Sequence, residues 1–181
     1  MALTRVKKVP TANLVEGSSF LTTASNLAAG KFPAGTVIQT IFGTVAGQVS
    51  NTTNTFADTN LTATITPTSA SNKILVSVFQ NGVYKDGSAA AGCEIRLLRG
   101  STVISSLSKR AGGDNGTGTA ATMSVGTVGN QVLDTPSTTS ATTYKCQWSA
   151  YDSNATLYLN RRGSNLAVGS ISTITVMEIK A

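Results

Sequence analysis

The chain has 181 residues, 12% of them charged and 40% hydrophobic, with a formal net charge of +6 and no histidine. The length suits one domain with its own core, and the missing histidine removes imidazole-based serine triads and histidine metal sites. Charged residues are about half the ~25% usual for soluble domains, and Ser, Thr and Gly take their place, which favours short strands and turns over long helices.

The basic residues are scattered. Lys7-Lys8, Lys109-Arg110 and Arg161-Arg162 are the only adjacent basic pairs, and none forms a stripe interleaved with aromatics. Nucleic acid is therefore not an expected partner. Membrane insertion is not expected either, because no stretch approaches the ~18 apolar residues of a span. The start, MALTRVKKVP, lacks a following apolar segment of signal-peptide type, so synthesis in a cytoplasm is expected. Cys93 and Cys146 sit inside strand-like runs without a CxxC neighbour. Two buried free thiols are expected, with a disulfide left open.

Residues 1–34 read as an N-terminal arm, extended with one short helix near Ser19–Ala29, where Phe20, Ala24, Leu27 and Ala28 share a face. Arg5, Lys7, Lys8 and Lys31 against Glu16 make it basic. Such an arm has no core of its own. It is either a disordered tail or an anchor that orders on a partner, and its apolar content favours the anchor, with Arg5, Lys7, Lys8, Phe20 and Leu21 as the gripping residues.

Lys31-Phe32-Pro33-Ala34-Gly35 punctuates the chain, and residues 35–181 form the second unit. Thr36 to Val49 reads as a long strand, with Gly43 as a bulge or close-approach site. Asn51 to Asn60 reads as a polar loop or edge. Leu61, Ala63 and Ile65 then alternate with Thr62, Thr64 and Thr66 until Pro67 ends the ladder. Ile74 to Phe79 is apolar on both faces except at Ser77, the pattern of a central strand or of one lying under a second chain. The sequence QNGVYKDGSAAAG reads as turn and loop, because Asn81-Gly82 and Asp86-Gly87 are turn dipeptides.

Cys93–Leu98 and Thr102–Leu107 form a hairpin around Arg99-Gly100-Ser101. Lys109 to Gly118 reads as an exposed loop. Strands follow at Ala120–Val128, Gln131–Leu133, Thr142–Ala150, Ala155–Asn160 and Ile171–Ile179. In Thr142–Ala150, Tyr144, Cys146 and Trp148 share a face, which reads as core rather than as a stacking platform. Ile171, Met177 and Ile179 oppose Ile174 and Val176, so the last strand is also apolar on both faces. The fold class is all-β: a jelly-roll-like antiparallel β-sandwich of about eight strands behind the extended arm.

Tests for chemistry return little. The eight acidic residues are spread one per element, and nothing in their spacing pairs two carboxylates across a bond. Asp86, Asp114, Asp134 and Asp152 read as turn residues. Gly112–Gly118 lacks the Gly-Lys-Ser/Thr of a phosphate loop. No catalytic, cofactor or metal residue is assigned, and the chain is expected not to be an enzyme.

Several segments resemble one family. Pro33-Ala34-Gly35-Thr36-Val37-Ile38-Gln39, Thr59 to Pro67 followed by Ser69 to Val76, the Leu97-Leu98-Arg99-Gly100 hairpin, Leu133-Asp134-Thr135-Pro136 and Ile174-Thr175-Val176-Met177-Glu178 are similar, in order, to small C-terminal β-sandwich modules of phage virion and tail-fibre proteins. Met1-Ala2-Leu3-Thr4-Arg5-Val6 resembles the virion-attachment ends of some tail proteins. The resemblance implies a trimeric jelly-roll-like module carried on a phage particle, made in the host cytoplasm. The chain departs from a long fibre in lacking shaft repeats, which raises capsid decoration as the other reading.

Within that frame, a homotrimer is expected, with Leu75, Phe79, Ile171 and Met177 at its interface. Other virion proteins are the expected partners of the arm. A host-surface glycan or protein is the expected partner of the head, through loop residues Tyr84, Asp86, Asp114, Asn115, Tyr151 and Asn154.

Overall fold

The period-two alternation carries through into ten strands: β1 (Val37–Val45), β2 (Val49–Asn51), β3 (Ala57–Ile65), β4 (Lys73–Gly87), β5 (Cys93–Arg99), β6 (Thr102–Ala111), β7 (Met123–Asp134), β8 (Thr142–Ala150), β9 (Ala155–Leu159) and β10 (Ser172–Ile179). They are seen in a computed structural model that describes residues 32–88, 90–113, 122–151, 155–161 and 170–181. The expected arm with Arg5, Lys7, Lys8, Phe20 and Leu21 lies outside the described residues, as do Asp114, Asn115 and Asn154. A compact unit spans Pro33–Ala181.

All strand pairings are antiparallel. The long strand β4 organises the first sheet. β7 pairs with it from Ile74 to Lys85 along one edge. Along the other edge, β10 pairs with Lys73–Phe79 and β9 with Tyr84–Gly87. β1 then pairs with β10, and β2 with β9. Thus β1 and β2 act as one interrupted strand, and so do β9 and β10. The second sheet runs β3-β8-β5-β6. Counted in chain order with the two composites joined, the sheets are 1-8-3-6 and 2-7-4-5, the strand order of a jelly roll.

The inward faces of both sheets meet in two adjoining apolar clusters. One holds Leu61, Ile65, Ile74, Val76, Val78, Leu97, Tyr144, Ile174 and Val176. The other holds Val83, Cys93, Ile95, Trp148, Leu157 and Leu159. The expected core face of β8 is confirmed, since Tyr144, Cys146 and Trp148 are all buried. Cys93 lies opposite Ala150 and Cys146 opposite Leu97. Four residues of offset along adjacent strands is about 13 Å, beyond disulfide reach, and both thiols are free.

Four sequence expectations need correction. The segment after Phe79 is not a loop, because β4 continues through it to Gly87. Asn81-Gly82 makes an interior bulge instead of a turn: the register against β7 slips between Gln80 and Val83, and Gly82 has φ +56. Strands on both edges hold the chain straight there. β6 continues to Ala111, into the expected Lys109 loop. The two expected short strands at 120–133 are one, β7. β3 begins at Ala57, within the expected polar segment.

Gly43 is a close-approach site. A Cβ there would run into the Thr62 carbonyl oxygen and lie 2.9 Å from Ile174 Cγ2. Its bare backbone lets β1 of one sheet close against β3 of the other.

The interruptions of the first sheet lie in one row, and Asn160 joins them. Its Nδ2 donates to the carbonyls of Val45 and Gly47, both at 2.9 Å, across the β1–β2 break. Its backbone N–H donates to Asn81 O at 2.9 Å, at the β4 bulge. Ser172, the first residue of β10, donates its hydroxyl to Asn160 Oδ1 and accepts the Asn81 N–H.

Candidate functional site

Two outward faces differ sharply in chemistry. On the first sheet, strand register places Thr40, Met177, Leu75 and Leu133 in one row. Phe42, Thr175, Ser77 and Gln131 form the next, then Thr44, Thr173, Phe79 and Gly129. Phe42 is 62% exposed, Leu133 54%, Ile171 49% and Phe79 46%. No charged side chain occurs in these three rows. Of the residues expected at an oligomer interface, Leu75, Phe79 and Met177 are thus brought onto one face, with Leu75 and Met177 half-buried, while Ile171 is exposed just before β10. Phe42 and Leu133 complete it. Sequence reading missed them because each is a lone apolar residue at an outward position of its strand.

The outer face of the second sheet is polar. A groove of about 550 Å³ runs over β5 and β8, lined by Arg96, Leu98, Gly100, Ser101, Thr143, Lys145 and Gln147. A smaller basin of about 270 Å³ lies beside it and includes Phe56, Glu94, Val103, Ser106 and Lys109. Arg96 belongs to both. Its guanidinium stacks on the Phe56 ring, 3.6 Å from the centroid, and its Nε and one terminal nitrogen donate to Gln147 Oε1 at 3.1 and 2.7 Å. Gln147 in turn donates to Asp58 Oδ1 at 2.8 Å, while Lys145 reaches Asp58 Oδ2 at 3.0 Å. Hydrogen bonds from Gln147 and then Lys145 hold the Asp58 carboxyl below the usual carboxylate range. Asp58 therefore compensates Lys145, whereas among the described residues no carboxylate pairs with Arg96.

The expected receptor-facing residues scatter. Tyr84 is not in a loop: it lies in β4, is only 6% exposed, and packs near Tyr158 with its ring beneath Arg161. The ring is covered because β4 continues here and pairs with β9, which sets Tyr158 and then Arg161 against it. Asp86 is also in β4, half-buried. Tyr151 is exposed just beyond β8, with Arg110 over its ring at 4.4 Å. Asp134 is the last residue of β7. It forms an ion pair with Arg99 at 2.8 Å and accepts the Tyr144 hydroxyl at 2.7 Å. Burial, then that hydrogen bond to Asp134, pushes the Tyr144 phenol upward. This trio ties β5, β7 and β8 together at one end of the sandwich.

Glu178 is fully buried, and among the described residues its donors are all neutral. Gln39 Nε2 and Asn72 Nδ2 donate at 2.6 Å each, and Thr68 donates through N–H at 2.7 Å and hydroxyl at 2.8 Å. Burial acts to raise its pKa, but these four bonds outweigh it and the net shift is downward. Among the described residues, no group of three His, Cys, Asp or Glu is placed to hold a metal ion.

No family model and no curated protein matches the chain. Among solved structures it is similar to the infectious bursal disease virus VP2 subviral particle, at 11% identity and TM-score 0.38 over 80% of this chain and 38% of that one. It is likewise similar to the Gx strain of the same virus, at 11% identity and TM-score 0.36 over 79% of this chain and 37% of that one. The chain thus spans less than two-fifths of the length of these proteins. The jelly-roll assignment rests on its own strand order.

Proposed function

We propose that the chain is a non-enzymatic structural protein of a bacteriophage particle: a short tail-fibre or tail-associated subunit, anchored by residues 1–34 and presenting a trimeric jelly-roll head to the host surface. The observation that carries this reading is the three uncharged rows on the outer face of the first sheet, which hold Phe42, Leu75, Phe79, Leu133 and Met177 together. Apolar patches of this kind mark protein interfaces, and a second copy of the same chain is the occupant we assign. The resemblance of the 33–181 segment to small C-terminal β-sandwich modules of phage virion and tail-fibre proteins supports the same reading, as does the shortage of charge.

The alternative is capsid decoration, with the arm and head clamping neighbouring shell subunits. It is favoured by the direct passage from the arm at residue 34 into β1, without shaft repeats. Position in the particle decides between them. Gold-labelling or density for the chain at the tail or baseplate is the expected result. Regularly repeated sites over the capsid lattice would establish the alternative, and absence from purified particles would overturn both.

A further inference from the structure

We infer that the groove on the outer face of the second sheet is an anion-reading saccharide site, with Arg96 as its recognition residue and an acidic polysaccharide as its ligand class. This deepens the host-surface part of the reading above and rests on it. The first observation is that Arg96 is pre-organised: the Phe56 ring fixes one face of its guanidinium, and Gln147 takes two of its N–H groups. An arginine locked by neutral partners keeps its charge and its remaining donors for a planar oxyanion, and loses little side-chain entropy on binding.

The second observation is the lining. Ser101 places a hydroxyl and Leu98 an apolar floor beside that cation, while the Thr143 hydroxyl pairs with that of Thr64 at 2.8 Å and the Gly100 N–H donates to Thr143 O at 2.8 Å. A hydroxyl and an apolar floor beside a guanidinium that pairs with no carboxylate among the described residues suit a polyhydroxyl chain carrying a carboxylate or phosphate on each repeat. Nucleic acid fits less well. It requires several phosphate contacts along a track, and here Lys145 is already compensated by Asp58 while the Phe56 face is taken by Arg96. The groove is open and shallow, as a site for the middle of a polymer has to be.

The site is assembled from three distant parts of the chain, residue 56, the β5–β6 hairpin at 96–101, and β8 at 143–147. It differs from the loop residues that the sequence singled out.

The test uses the full chain and four polymers: alginate for carboxylate, phosphomannan for phosphate, dextran as neutral control, and single-stranded DNA. Affinity is measured by calorimetry for the parent, Arg96→Gln and Ser101→Trp, the last of which fills the groove from an exposed turn. Binding to alginate or to the phosphate polymer, absent for dextran and weakened at least about tenfold in both variants, is expected. Which acidic polymer binds identifies the oxyanion. Equal binding of dextran, unchanged affinity in Arg96→Gln with its fold intact by circular dichroism, binding of DNA alone, or no binding at all would overturn the proposal. Because the polymers are purified, failure here leaves the virion reading standing, and failure to find the chain in particles leaves the groove measurement standing.

Discussion

The Ser172 hydroxyl donates to the Asn160 side-chain oxygen at 2.7 Å, and this buried bond joins the end of β9 to the start of β10. With its amide nitrogen on Val45 and Gly47, Asn160 satisfies three partners at the one row where the first sheet breaks. It also holds φ +56, a conformation asparagine tolerates better than most residues. Asn160→Ala is expected to cost about 2–4 kcal/mol, because it leaves buried groups unpaired and keeps the backbone strain. Asn160→Gly relieves the backbone part alone and should cost less. Chemical denaturation of both variants checks this. Equal stability of parent and Asn160→Ala would show that the row is not held by this side chain.

Gly43→Val should destabilise the sandwich by about 1–3 kcal/mol or more, since the added atoms meet backbone at Thr62 and the fixed Ile174 side chain. The same change at Gly47, which has open space around its Cβ position, is the control and should have a far smaller effect. Melting temperatures of the two variants provide the comparison.

Glu178 gives the fold an acid-sensitive component. Its folded pKa lies below the ordinary value near 4.5, so its contribution is fully present above that value. As pH falls from about 4.5 through the lowered folded value, the unfolded chain takes up the proton first and the contribution is lost. Glu178→Gln turns an acceptor toward the Asn72 and Gln39 donors into a partial donor. It should lower stability at neutral pH by about 1–3 kcal/mol and flatten the acid limb of the stability–pH curve. Urea titrations from pH 3 to 7 read both effects. A parallel curve for parent and variant would contradict them.

The apolar outer face predicts separation of assembly from folding. Leu133→Lys and Phe42→Ser change exposed positions, so circular dichroism and melting of the head should stay close to those of the parent. Sedimentation velocity should show the parent as a trimer and the double variant as a monomer. A parent that sediments as a monomer at micromolar concentration would remove the second copy as the occupant of this face.

Burial pushes the Cys93 and Cys146 thiols each up to about 12, and the thiolate is the reactive form. Both should resist a thiol reagent at pH 8 in the native protein and react together once denaturant unfolds it. Mass spectrometry under oxidising conditions should find no internal disulfide. Fast labelling of the native chain would place at least one thiol nearer the surface than this packing has it.

Local pattern was enough to identify strands: alternation at Leu61–Ile65 and Thr142–Ala150, hairpin punctuation at Cys93–Leu98 and a run apolar on both faces at Ile171–Ile179, together with the core face of Tyr144, Cys146 and Trp148 and the all-β class. Those features are local, because side-chain direction in a strand follows position within the strand itself. Tertiary structure decided what Asn81-Gly82 does. The dipeptide suits a turn or a bulge equally, and the strands on both edges of β4 select the bulge, while pairing with β9 sets Tyr158 and Arg161 against Tyr84. It also decided that β1–β2 and β9–β10 act as single strands, since Asn160 bridges breaks more than a hundred residues apart. The Arg96 groove belongs to the same category. Phe56, Arg96 and Gln147 carry no motif in common, and only strand register, which depends on long-range pairing, brings them together.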